Sequence, residues 1–100
     1  MDKLHNSQIF MTDKVIVRSG EDESFIGFQI LPKDDTQGFF VKSSSFIKVG
    51  IKETDSEENL RVLSVKGIND GNEILEGFVS VVLDDGTEAE CEVLVLPQLL

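Results

Sequence analysis

One hundred residues is the length of one ordinary domain, and 40% hydrophobic residues with seven Phe supply material for a core. Nineteen acids against nine Lys and Arg give a net charge of −10, a field that repels nucleic acid and anionic lipid and attracts basic surfaces. The lone Cys91 excludes an intrachain disulfide, and no uncharged stretch nears the roughly 18–20 apolar residues of a membrane span. Met1-Asp2-Lys3-Leu4-His5-Asn6 lacks the apolar run of a signal peptide, so a cytoplasmic protein is expected.

The charge is unevenly spread. Residues 1–50 hold seven acids and six bases, whereas residues 51–100 hold twelve acids and three bases. Two-residue alternation recurs along the chain, and short β-branched or aromatic runs are separated by Gly, Asp, Asn and Ser clusters. Residues 1–6 are expected to form a flexible tail and 7–100 a single all-β domain.

The predicted strands, in order, are 8–18, 25–31, 39–42, 46–51, 60–66, 73–83 and 87–96. Pro32 ends the second, because it fixes its own φ and has no N–H for a ladder. Residues 19–23 and 33–38 read as exposed turns. Residues 54–59 (Thr-Asp-Ser-Glu-Glu-Asn) are a loop or one helical turn, the only helix expected. Six to seven strands of this kind make a small antiparallel barrel or a two-sheet sandwich. Ile26, Phe28 and Ile30 share one face of their strand, and Ile47, Val49 and Ile51 share one face of theirs.

The last two runs enclose Asp84-Asp85-Gly86. A two-residue turn would set Val81 opposite Glu90 and Val79 opposite Glu92. A three-residue turn with Gly86 left-handed sets Val81 opposite Ala89, Val79 opposite Cys91 and Gly77 opposite Val93. The second register gathers Leu75, Val79, Val81, Leu83, Ala89, Cys91, Val93 and Val95 on one face, and burial selects it. Asn69-Asp70-Gly71-Asn72 carries similar turn chemistry, so the last forty residues are expected to form a three-stranded meander. Its wet face shows Glu76, Glu88, Glu90 and Glu92 beside Phe78 and Val82. Glu88, Glu90 and Glu92 run in single file, about 7 Å apart.

Catalytic patterns are wanting. A nucleophile needs a base beside it, and the one His, His5, lies in the polar N-terminal stretch. Cys91 falls mid-strand on the apolar side, where a thiol acts as a small hydrophobe. One Cys and one His make no zinc centre, and Asp70-Gly71-Asn72-Glu73 lacks the oxygen ligands that lead into the Gly of a calcium loop. The glycines form no phosphate-binding loop. Gly27 and Gly77 lie inside strands, where a barrel corner is the expected reason. Phe39, Phe40 and Phe46 lie near Lys42 and Lys48, but core packing accounts for these aromatics better than nucleic-acid binding does. Neither an enzyme, a cofactor nor a metal site is expected.

Two functions are preferred to a small-ligand or metal-binding β-barrel. One is an interaction module that offers Glu76, Phe78, Glu88, Glu90 and Glu92 to a basic protein, with Arg61 and Lys66 quenching part of the acidic field. The other is a subunit of a homo-oligomer or larger assembly, joined by edge strands and the apolar tail through Leu96, Leu99 and Leu100.

Overall fold

The computed structural model describes residues 7–20, 22–32, 37–55 and 59–99, apart from the side chains of 53–55. The N-terminal tail with His5, most of the 33–38 turn, residues 56–58 of the expected helical turn, and Leu100 lie outside the described residues. Among the described residues eight strands form: β1 (Gln8–Met11), β2 (Lys14–Arg18), β3 (Ser24–Leu31), β4 (Phe39–Ser43), β5 (Ile47–Asp55), β6 (Leu60–Gly67), β7 (Leu75–Leu83) and β8 (Glu88–Leu96). They make two four-stranded sheets, β1-β3-β6-β5 and β2-β8-β7-β4. The fold is a β-sandwich. With the strands lettered along the chain and the first one split, this is the order of an immunoglobulin-type sandwich. The Trp and inter-sheet disulfide of antibody domains are absent, because the chain has no Trp and one Cys.

The expected first strand, 8–18, is two strands. β1 pairs antiparallel with β3, and β2 pairs parallel with β8 in the other sheet. Thr12 makes the switch. Its N–H donates to the Gly27 carbonyl (3.0 Å), and its hydroxyl accepts from the Gly27 N–H (3.0 Å). One residue later the Asp13 carbonyl accepts from the Glu92 N–H (2.8 Å) in the opposite sheet. The chain thus lets go of one ladder and takes up the next within two residues. Gly27 therefore marks this exchange point and no barrel corner.

The C-terminal hairpin has the three-residue turn. Val81 faces Ala89, Val79 faces Cys91 and Gly77 faces Val93. Gly86 has φ +94° and donates to the Leu83 carbonyl (2.9 Å), and the Leu83 N–H donates to the Thr87 carbonyl (2.8 Å). The meander does not form: β6 bonds to β3 and β5, and residues 68–74 carry the chain across to β7 in the other sheet. A sandwich must bury one face of every strand. Placing β6 opposite the β7–β8 ribbon covers Leu63 and Val65 together with Val79, Val93 and Val95.

The core lies between the sheets, with Ile26, Phe28, Ile30, Leu63 and Val65 from one and Val79, Val81, Leu83, Cys91, Val93 and Val95 from the other. Phe28 and Phe39 join the layers edge to face, 5.2 Å between ring centroids. Gly77 is the site of a close approach and no barrel corner: a Cβ there would lie 2.7 Å from Ser44 Oγ and 2.8 Å from Phe46 Cζ. Ile51 departs from the expected inner layer. It is 66% exposed, at an edge strand whose register breaks between Ile51 and Glu53.

The crossover between sheets is organised by Asn69, only 2% exposed. Its amide donates to the carbonyls of Glu73 (2.7 Å) and Val95 (2.8 Å), and its side-chain oxygen accepts from the Gly71 N–H (3.0 Å). Its backbone N–H donates to Ser19 Oγ (2.8 Å), just beyond β2. Four polar groups at the crossover are satisfied by one residue. Asn69→Ala is expected to lower the unfolding free energy by about 2–3 kcal/mol, because it strands two carbonyls and an N–H. Asn69→Asp should cost more, since a carboxylate would face the two carbonyls. Urea denaturation with unchanged m-values checks both.

Candidate interaction surface

The outer face of the β2-β8-β7-β4 sheet follows from strand parity. Inward residues alternate with Lys14, Ile16 and Arg18 on β2, Glu88, Glu90, Glu92 and Leu94 on β8, Glu76, Phe78, Ser80 and Val82 on β7, and Phe40 and Lys42 on β4. The predicted site residues Glu76, Phe78, Glu88, Glu90 and Glu92 therefore share one face. The four glutamates are exposed and Phe78 is half-buried. Phe78 is opposite Glu92 and Glu76 is opposite Leu94, which sets each carboxylate beside an apolar side chain.

The carboxylate row is partly neutralised, and not by the expected bases. Lys14 lies 3.9 Å from Glu92, and Lys42 lies 3.4 Å from Glu88. Both lysines come from the first half of the chain, on the strands that flank the β7–β8 ribbon. Each pair is half exposed, so each contributes little stability and yields readily to a competing charge. Glu76 and Glu90 have no ion pair among the described residues. Between Glu90 and Lys42 sits Ser80, 1% exposed, its hydroxyl without a hydrogen-bond partner among the described residues.

Arg61 and Lys66 do not quench the row. Arg61 points between the sheets, its guanidinium 5.5 Å from the Phe39 ring centroid. Lys66 lies on the outer face of the other sheet, directly opposite Lys48. Lys52 also reaches that face, 6.0 Å from the centroid of Phe25. Among the described side chains the charges on this second face are all lysines. Sequence reading missed it because Lys48, Lys52 and Lys66 meet only through β5–β6 pairing.

Phe40 was expected in the core with Phe39 and Phe46. It is 55% exposed, because alternation along β4 sends Phe39 inward onto Phe28 and Phe40 out beside Val82. That alternation was the available signal. Of the tail residues, Leu96 is half-buried opposite Arg18, Leu99 is 72% exposed, and Leu100 lies outside the described residues.

Cys91 is fully buried, and burial, aided by the negative charge of Asp13 and Glu92, pushes its thiol up from 9.0 to about 11. Two surface hollows, about 490 and 230 Å³, flank the crossover at residues 69–72. No group of three or more His, Cys, Asp or Glu able to hold a metal occurs among the described residues. No helix there is long and apolar enough to cross a membrane.

Two outcomes are expected. Because Cys91 is fully buried with its thiol pushed up to about 11, a thiol-specific chromogenic reagent at pH 8 should label it no faster than the protein unfolds. Replacing one of two facing like charges should stabilise the β5–β6 ladder, so Lys66→Glu is expected to raise stability by about 0.5 kcal/mol in urea titrations.

No family model matches the chain, and no curated protein matches it. Among solved structures, the M1 domain from titin is similar to it over 90% of this chain and 94% of that one, with a TM-score of 0.46 and 16% identity.

Proposed function

We propose that this domain is a non-enzymatic interaction module of the reducing cell interior, and that the outer face of the β2-β8-β7-β4 sheet receives a basic protein. The observation that carries the reading is the gathering of Glu76, Glu88, Glu90 and Glu92 on one exposed sheet face around Phe78. Phe78, Val82 and the exposed Phe40 supply apolar contact, and the carboxylates supply orientation. Aromatic anchors ringed by charge are a recurrent way to combine affinity with partner choice. Lys14 and Lys42 hold two of the carboxylates in place in the free protein, and an incoming Arg or Lys competes with them. The single Cys91 is buried, with its thiol pushed up and no disulfide partner, which suits a reducing compartment.

The second reading, a homo-oligomer, draws on a different observation: Leu99 is 72% exposed at the end of an apolar tail, and each sheet has open edges.

The test uses the whole domain as bait in an extract of its native host. A partner of the acidic face should bind at about 0.05 M NaCl and be released by about 0.5 M, since screening weakens exposed charge pairs. The triple variant Glu88→Lys, Glu90→Lys, Glu92→Lys should lose that partner by at least tenfold in affinity. The double variant Lys48→Glu, Lys66→Glu, altered on the opposite sheet, should keep it. Equal retention by the triple variant would remove the face from consideration.

A further inference from the structure

We infer that β4 is a self-pairing edge, through which two copies of this chain join their β2-β8-β7-β4 sheets into one continuous sheet about a twofold axis at Val41. The inference sharpens the oligomer reading to one edge and one register, and it does not depend on the acidic face.

Backbone geometry sets the edge. The Asp84 N–H donates to the Gly38 carbonyl (3.1 Å) and the Ser44 N–H donates to the Phe78 carbonyl (3.1 Å), so the even-numbered residues of this stretch bond to β7. In an antiparallel ladder the alternate residues point their N–H and C=O the other way. Phe39, Val41 and Ser43 therefore direct these groups off the free side of β4. The strand has no Pro and no bulge, and its register to β7 is unbroken from Phe39 to Ser43.

Each of the other three edges carries a guard, whereas β4, five residues long with Lys42 as its one charge, has neither a register break nor a capped carbonyl among the described residues. β5 bears Lys48 and Lys52 and breaks register after Ile51. On β2, the Ile16 carbonyl accepts from Ser24 Oγ (3.0 Å). β1 is only four residues long and ends where Thr12 closes onto Gly27. Short length, lysines, bulges and capped carbonyls are the usual means of keeping edges apart.

A second copy is the occupant that this strand fits. Only odd-to-odd pairing uses the free backbone groups. Centring on residue 42 would set Lys42 against its own copy, a like-charge clash. Centring on residue 40 would shorten the overlap. Centring on Val41 pairs all five residues, makes roughly six interchain backbone hydrogen bonds, and sets each Lys42 opposite the partner's Phe40. An ammonium over an exposed ring is attractive, and Lys42 reaches the partner's ring by giving up its half-exposed contact with Glu88, 3.4 Å away across β7. Both strands are already extended in a folded sheet, so the pairing costs less ordering than capture of a loose peptide.

Sedimentation velocity on the whole chain, with amide exchange followed by NMR, tests the inference. The wild type should sediment at twice its 11.1 kDa mass at high micromolar concentration. The Phe39 and Val41 amides should then exchange more slowly as concentration rises. Val41→Pro removes an N–H that faces away from β7, so it should give a folded monomer. Lys42→Glu should weaken the dimer by roughly tenfold. A wild type that stays monomeric to millimolar concentration overturns the inference. So does a dimer in which those two amides stay unprotected, or one that a folded Val41→Pro retains; those two results would leave association through the tail standing. Should Val41→Pro fail to fold, amide protection and Lys42→Glu decide the matter.

Discussion

The apolar seam between the two sheets sets the register of every strand that borders it. Side chains alternate along a strand, so a slip of one residue between β7 and β8 would send Cys91, Val93 and Val95 into water and bring Glu88, Glu90 and Glu92 inside, beside Val79 and Val81. Of the two registers the turn permits, only the observed one gathers the apolar side chains of both strands on one face. The three-residue turn with Gly86 left-handed follows from that demand. The exposed glutamates follow from it too, so the same constraint that builds the core builds the candidate surface.

Where the seam meets polar backbone, single residues carry the load. Thr12 lets the first strand change sheets without leaving the Gly27 N–H and C=O unpaired. Asn69 does the same for the crossover from β6 to β7, tying residues 71 and 73 to β8 while its own N–H reaches Ser19. Both are small polar residues, Thr12 inside what reads as one continuous strand and Asn69 in what reads as a simple turn. Their importance comes from burial, which makes each unmet hydrogen bond expensive.

The electrostatic picture changes once the strands are ordered in space. A chain with twelve acids in its second half looks one-sided, yet Lys14 and Lys42 from the first half border the carboxylate row. Three other lysines collect on the opposite sheet face. Among the described side chains, one face sets four carboxylates among Lys14, Arg18 and Lys42 and the charges of the other are lysines alone, with further acids in turns such as Asp70 and Asp84. Binding by either face is a matter of local pairs and screening, more than of the net charge of −10.

Local pattern was enough for the all-β class, for most strand positions, for the register of the last hairpin and for the exposure of Glu76, Glu88, Glu90 and Glu92. Each of these depends on residues near one another in the chain: alternation with period two, a Gly that permits φ +94°, a Pro that stops a ladder. Tertiary structure decided the rest. It split the first run between two sheets, carried β6 away from β7, turned Phe40 outward, and chose which lysines meet which glutamates. These outcomes depend on which strands become neighbours across long stretches of chain. Packing of the whole seam selects those neighbours, and no window of sequence contains both partners.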